Sequence, residues 1–202
     1  MSSPTSIIGA VLTGGKSSRM GTDKALLPFR DRPLVQGAVE TLRQVFSTVV
    51  LVGGDRNAYE LHGVNFLPDI FSDCGPLAGI HAALTYARPH PVYVLACDTP
   101  FVSSEVVQHI LDAEKSDRTR VAVFEDVLQP LCGLYNTSCL ELVETDLRHG
   151  RYSVRRFLEA IDCVRVPIST SLPFVTPNTF LNINRPEDYR SIGGIEPGGT
   201  NG

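Results

Sequence analysis

No apolar run in this chain approaches the roughly 18 residues that a membrane span needs. The opening stretch, MSSPTSIIGAVLTGG, lacks the basic segment that precedes the apolar core of a secretory leader. The expectation is a cytoplasmic protein with no membrane attachment. A basic excess is missing too: 18 Lys and Arg stand against 22 Asp and Glu, a net charge of -4. That balance argues against a general nucleic-acid binder, whose domains are usually strongly basic, but leaves room for local cations on a small polyanion. Paired cysteines are also absent. The five present (Cys74, Cys97, Cys132, Cys139 and Cys163) are odd in number and never spaced C-x-x-C, which speaks against a disulfide framework or a zinc site. Cys97, inside an apolar strand, reads as a reduced core residue. No internal repeat and no linker marks a domain boundary.

What is present is ordinary globular material, 202 residues with 43% hydrophobic and 20% charged side chains, enough for one domain with a sizeable core. Branched apolar runs alternate with segments of helical period. SIIGAVLTG reads as a buried strand. PLVQGAVETLRQVF follows, with Leu34, Val35, Val39, Leu42, Val45 and Phe46 on one helical face. STVVLVGG and the short VNFLPD are strands, GPLAGIHAALTYA is a helix, PVYVLACD is a strand, and SSEVVQHILDAEK is a helix that Ser103 or Ser104 can cap. This order predicts an α/β protein, three layers α/β/α around a mostly parallel sheet, whose continuously apolar strands are covered on both faces. In the second half, RVAVFED and LQPLCGLYN predict strands near a sheet edge, and helices follow around 138–148 and 153–161. DCVRVPI and FLNIN then read as strands and RPEDYRSI as a last short helix. Residues 1–192 form a single domain in this reading. The tail 193–202, GGIEPGGTNG, has little to bury and is expected to be flexible.

The chemistry concentrates in VLTGGKSSRMGTDKALLPF. A P-loop, G-x-x-x-x-G-K-[ST], would need its first glycine at position 10, where Ala10 lies within the strand. The dinucleotide fingerprint G-x-G-x-x-G fails on spacing. A third reading fits the residues: Gly14 and Gly15, at the end of the first strand, let a ligand approach the backbone. Lys16, Arg19 and Lys24 supply cations, and Gly21 permits a second bend. Such a loop can wrap a triphosphate at the carboxyl end of a parallel strand. Its competitor is a glycine turn with solvated cations, which suits Lys16 as well as binding does.

The block LTGGKSSRMGTDKALL resembles the L-x-G-G-x-S-x-R-M-G-x-D-K motif of molybdenum cofactor guanylyltransferases, part of a broader group of Rossmann-like nucleotidyltransferases. DIFSDCGPLAGIHAAL, VYVLACDTPFV, QPLCGLYN and FLNINRPEDY follow in that family's order, so the likeness spans residues 7 to 190. It implies transfer of GMP from GTP to the terminal phosphate of molybdenum-bearing molybdopterin, with Mg²⁺ as cofactor and pyrophosphate released. It also implies transient contact with proteins that load or accept the cofactor. By the same resemblance Arg19, Lys24 and Asp98 are catalytic, and Asp98 is the Mg²⁺ ligand. Leu12, Thr13, Gly14, Gly15, Lys24, Asp69 and Asp98 would hold GTP, and Asn182 and Asn184 would meet molybdopterin.

The residue chemistry agrees with that assignment. A phosphate monoester is largely dianionic at neutral pH, so an attack on the α-phosphorus needs neutralised charge and positioning rather than a general base. Asp98 ends a buried strand and can hold Mg²⁺, although a carboxylate there could also cap the following helix. Asp23 would orient Lys24 through a salt bridge. Asp69 could equally be a turn residue, and Asn184 a helix cap. His81 reads as a packing or surface residue. Arg151, Arg155 and Arg156 oppose the dipole of the helix they open, which suits an anionic partner or simply a solvated face. The sequence departs from the family pattern in two places: Thr13 stands where alanine is usual, with a hydroxyl and methyl able to crowd or bond the base. Val52–Gly54 also lacks the asparagine that some relatives place against nucleotide. Three readings remain open: guanylyl transfer; cytidylyl or sugar-phosphate nucleotidyl transfer; and a silent nucleotide or cofactor carrier.

Overall fold

A computed structural model describes residues 6–13, 23–54, 59, 61–114, 116–184 and 188. Its strands are β1 (Ile8–Leu12), β2 (Pro28–Phe29), β3 (Arg32–Pro33), β4 (Val49–Val52), β5 (Asn65–Leu67), β6 (Val92–Ala96), β7 (Arg120–Phe124), β8 (Val127–Tyr135) and β9 (Val164–Ile168). Its helices are α1 (Leu34–Arg43), α2 (Pro76–Ala87), α3 (Ser104–Asp112), α4 (Leu140–Arg148) and α5 (Val154–Ala160). Seven strands form one sheet in the order β5-β4-β1-β6-β8-β7-β9. β8 runs antiparallel to both of its neighbours, while every other pairing in the sheet is parallel.

Strand alternation divides the core between the two faces. Val11, Leu51, Tyr93 and Leu95 pack with α1 and α3. Ala10, Leu12, Val50, Val52, Val92 and Val94 pack with α2, α4 and α5. Both faces are therefore apolar and covered, giving the expected three layers. α2 is buried nearly all round. Gly79 lets it lie close on β1, since a Cβ there would stand 3.2 Å from a Leu12 methyl.

RVAVFED and LQPLCGLYN correspond to β7 and β8, near one sheet edge as expected, with DCVRVPI, as β9, pairing beyond β7 to form the edge itself. Two local features differ from expectation. FLNIN forms no strand; its Ile183 N–H instead donates to the Asp98 carbonyl at 2.8 Å, and the Ile183 side chain is buried beside Phe29 and Leu34. A two-stranded ribbon, β2 with β3, sits between β1 and α1, unannounced by any periodic pattern. The tail 193–202 and most of RPEDYRSI lie outside the described residues. Among the described residues no helix is long and apolar enough to cross a membrane.

Candidate active site

The chain runs from β1 outward to β4 and β5, then returns to place β6 on the other side of β1. This reversal is a switch point, where the loops leaving two adjacent parallel strands diverge and open a crevice. Leu12 is in register with Val52 on one side and Ala96 on the other, so the carboxyl ends of β4, β1 and β6 finish level. Beyond them lies a cavity of about 220 Å³, walled by Leu12, Lys24, Val52, Gly53, Asp69, Gly75, Pro76, Gly79, Ala96, Cys97, Asp98 and Leu131.

Each wall has a local cause. Gly75 precedes α2 with φ of 67° and Pro76 takes the first helical position, so the amino end of this helix opens on the cavity. Its positive dipole end suits an anion. Asp69 follows β5 after Pro68; the cavity wall strips water from its carboxyl and raises its pKa. Cys97 is buried behind β6, and burial pushes its thiol pKa far up. It stays a neutral thiol and all five cysteines are free, in line with the absence of paired spacings.

Lys24 and Asp98, 74 positions apart, meet here: the Lys24 ammonium donates to Asp98 Oδ2 at 2.5 Å. Their side chains keep 23% and 15% exposure, which leaves both reachable from the cavity. Asn184 Oδ1 stands 3.4 Å from the same ammonium, delivered by the Ile183 anchor. Asn182, exposed on the other flank of Ile183, reaches neither charged group. Asp98 caps no helix, because Ser103 occupies the N-cap position of α3.

Asp23 does not pair with Lys24, contrary to the expected salt bridge. Its Oδ1 accepts from the Ala25 N–H at 3.0 Å and caps the short 3₁₀ turn Lys24–Leu26, while its Oδ2 accepts from the Tyr59 hydroxyl. Lys24, freed of its neighbour, points to Asp98. The Thr13 side chain is corrected as well. It is 1% exposed, and its hydroxyl donates to the carbonyl oxygens of Gly53 at 2.7 Å and Val52 at 3.1 Å. Hydroxyl and methyl are thus buried behind the cavity and do not crowd it. Gly54 has φ of 78°, and a Cβ there would lie 2.2 Å from the Tyr59 oxygen and 2.7 Å from Thr13 Oγ1. The two departures from the family pattern are therefore one packing arrangement: glycine at 54 makes room for the Thr13 hydroxyl and the Tyr59 phenol.

Gly14, Gly15, Lys16 and Arg19 lie outside the described residues. Tyr59 was missed because a single tyrosine in a connecting loop carries no pattern; the Thr13 and Gly53–Gly54 departures were the available signal. Arg151 is spent on Asp146 at 2.7 Å, and Arg155 and Arg156 are exposed on α5. His81 is buried on α2, edge-on to Phe71, so it is a packing residue.

A switch-point cavity with a helix amino end, the Lys24 ammonium and the carboxylates of Asp69 and Asp98 on its wall is suited to a phosphorylated ligand with its metal ion. A family model, the MobA-like NTP transferase domain, matches residues 9–165. A curated relative from Pelotomaculum thermopropionicum named "Probable molybdenum cofactor guanylyltransferase" is 33% identical, covering 89% of this chain and 88% of its own. One from Vibrio campbellii, "Molybdenum cofactor guanylyltransferase", is 31% identical and covers 97% and 100%. The crystal structure of molybdopterin-guanine dinucleotide biosynthesis protein A from Archaeoglobus fulgidus superposes with a TM-score of 0.73 at 28% identity, over 91% and 95% of the two chains. The chain belongs to the MobA-like NTP transferase family and is a nucleotidyltransferase enzyme.

Proposed function

We propose that this enzyme transfers GMP from GTP to the terminal phosphate of molybdenum-bearing molybdopterin. The observation that carries the reading is the Lys24–Asp98 pair at the mouth of the switch-point cavity, in a chain whose relatives bear the guanylyltransferase name. An oxygen of the acceptor phosphate attacks the α-phosphorus, the bond from that phosphorus to the bridging β-oxygen breaks, and pyrophosphate leaves with the electron pair. The acceptor is already dianionic, so no side chain has to take a proton. Lys24 neutralises phosphate oxygens, joined by Arg19. Asp69, Leu12, Thr13, Gly14 and Gly15 would bind the GTP, with Asp69 toward the guanosine, and Asn182 and Asn184 would meet the molybdopterin.

Asp98 fits a hard divalent cation. Among the described residues no three His, Cys, Asp or Glu side chains converge. One carboxylate beside a phosphate site is what Mg²⁺ accepts, since it keeps several waters and takes substrate oxygens. When bound it would offset the charge that builds between the α-phosphate and pyrophosphate. Lys24 lies 2.5 Å from that carboxylate, so phosphate oxygens bound here would compete with Asp98 for the ammonium.

The test is incubation of the protein with molybdopterin, Mg²⁺ and each of the four ribonucleoside triphosphates, the dinucleotide product being identified by mass. Guanine dinucleotide with pyrophosphate is expected. A cytosine product moves the enzyme to the cytidylyl class, and tight binding with no product makes it a carrier.

A further inference from the structure

The Lys24 ammonium hangs from a 3₁₀ turn of only three residues, which buries a single side chain, Ala25. Ala25 lies in the core with Leu26 packed against it, and the Asp23 end that precedes Lys24 is held by hydrogen bonds. The Thr13 hydroxyl is clamped between β1 and the end of β4, and Gly54, lacking a Cβ, leaves the space in which the Tyr59 phenol oxygen lies near it. That phenol is buried to 7% exposure and donates to Asp23 Oδ2. Asp23 passes the restraint on through its other oxygen to the Ala25 N–H.

We propose that Tyr59 is a positioning residue of the transfer reaction: through Asp23 it sets where the Lys24 ammonium stands over the cavity, with Thr13 and Gly54 holding the phenol in place. The proposal rests on the function proposed above. Gly54 admits the phenol only because it lacks a Cβ. A part-buried carboxylate oxygen is stabilised by a donor, and Tyr59 supplies it. Burial and the bond to Asp23 raise the Tyr59 pKa, so the phenol remains a proton donor throughout the working pH range.

A double-mutant cycle decides the matter. Tyr59→Phe keeps the ring in the core and removes only the hydroxyl. Binding of GTP, and of tripolyphosphate as a probe without a base, is measured with Mg²⁺ by calorimetry in the wild-type and Lys24→Met backgrounds. Tyr59→Phe should weaken both ligands about tenfold in the wild-type background, the usual effect of losing a group that orients a ligating one, and do nothing further in Lys24→Met. Thr13→Ala should act in the same direction but less. Carbon-13 methylation of Lys24 gives a readout without ligand: its resonance, displaced by Asp98, should relax toward the free-lysine position in Tyr59→Phe. Equal losses in both backgrounds, or an unmoved Lys24 resonance with undiminished binding, overturn the proposal and leave Tyr59 a packing residue. A wild-type protein that binds tripolyphosphate but prefers another base overturns the guanylyl reading alone; one that binds neither ligand overturns both.

Discussion

Two charged clusters flank α2, and they differ in what surrounds them. At the amino end, Lys24 and Asp98 meet on a cavity wall with part of each side chain open. Along the flank facing α4, His81 is 5% exposed, lies 3.8 Å from Glu144 Oε2, and is stacked edge-on against Phe71. Glu144 is also held by Arg148 at 2.5 Å. The first pair can exchange one partner for a ligand, because an incoming phosphate replaces the carboxylate as the lysine's counter-ion without exposing or burying new surface. The second cannot, because His81 is enclosed by apolar atoms and any exchange would open the α2–α4 contact. Charge complementarity alone does not mark a site; access to a cavity does.

The largest expected effect breaks the first cluster. Asp98→Asn keeps the size of the side chain and removes the anionic ligand, so turnover should fall by about 10²–10³, the order seen when one preorganised electrostatic group is deleted. Pyrophosphate release measures it, with circular dichroism confirming the fold. Lys24→Met should also lower turnover strongly but act in the opposite sense on the metal. With its ammonium gone, Asp98 is free, and Mn²⁺ should bind the nucleotide-free variant more tightly than the wild type by electron paramagnetic resonance. Unchanged Mn²⁺ affinity would show that Lys24 does not compete for the carboxylate.

Effects on the second cluster should be smaller and should appear in stability rather than catalysis. Burial lowers the His81 pKa, and Arg148 pulls the same way against Glu144. A histidine with a folded pKa below its unfolded value near 6.5 takes up its proton preferentially on unfolding. Its neutral burial therefore favours the fold above about pH 6.5, and this advantage shrinks as pH falls from there toward the lowered folded value. His81→Phe, which cannot titrate, should flatten the fall in denaturation midpoint between about pH 7 and pH 5 while leaving GTP turnover intact. Glu144→Gln should do the least. It removes the one neighbour that favours protonated His81, so acid sensitivity steepens slightly and the midpoint at pH 8 barely moves. A Glu144→Gln variant that lost transferase activity would erase the distinction between the two clusters.

Much of this was legible along the chain. Val92–Ala96 and Val49–Val52 are continuously apolar because both faces of a central strand are covered, and that feature survives in one dimension. Asp98 announced itself by ending such a strand. Strand order was less legible: RVAVFED and LQPLCGLYN read as near an edge, but not that β9 would pair beyond β7, since strand order depends on pairing between distant segments. FLNIN has the alternation of a strand, and the alternation is real. Ile183 points into the core and its asparagines out, but the backbone finds Asp98 rather than a sheet partner.

By itself the sequence determined the layered α/β class, the buried strands, the apolar face of α1 and the identity of the charged residues near the site, because periodicity and strand-end position are local properties. Only the tertiary structure decided which charges meet. Lys24 took Asp98 instead of adjacent Asp23, and Asp23 took Tyr59, because the switch point brings the ends of β1 and β6 side by side while the cap at Ala25 turns the neighbouring carboxylate away. Sequence proximity offers a partner; the packing of the sheet ends chooses one.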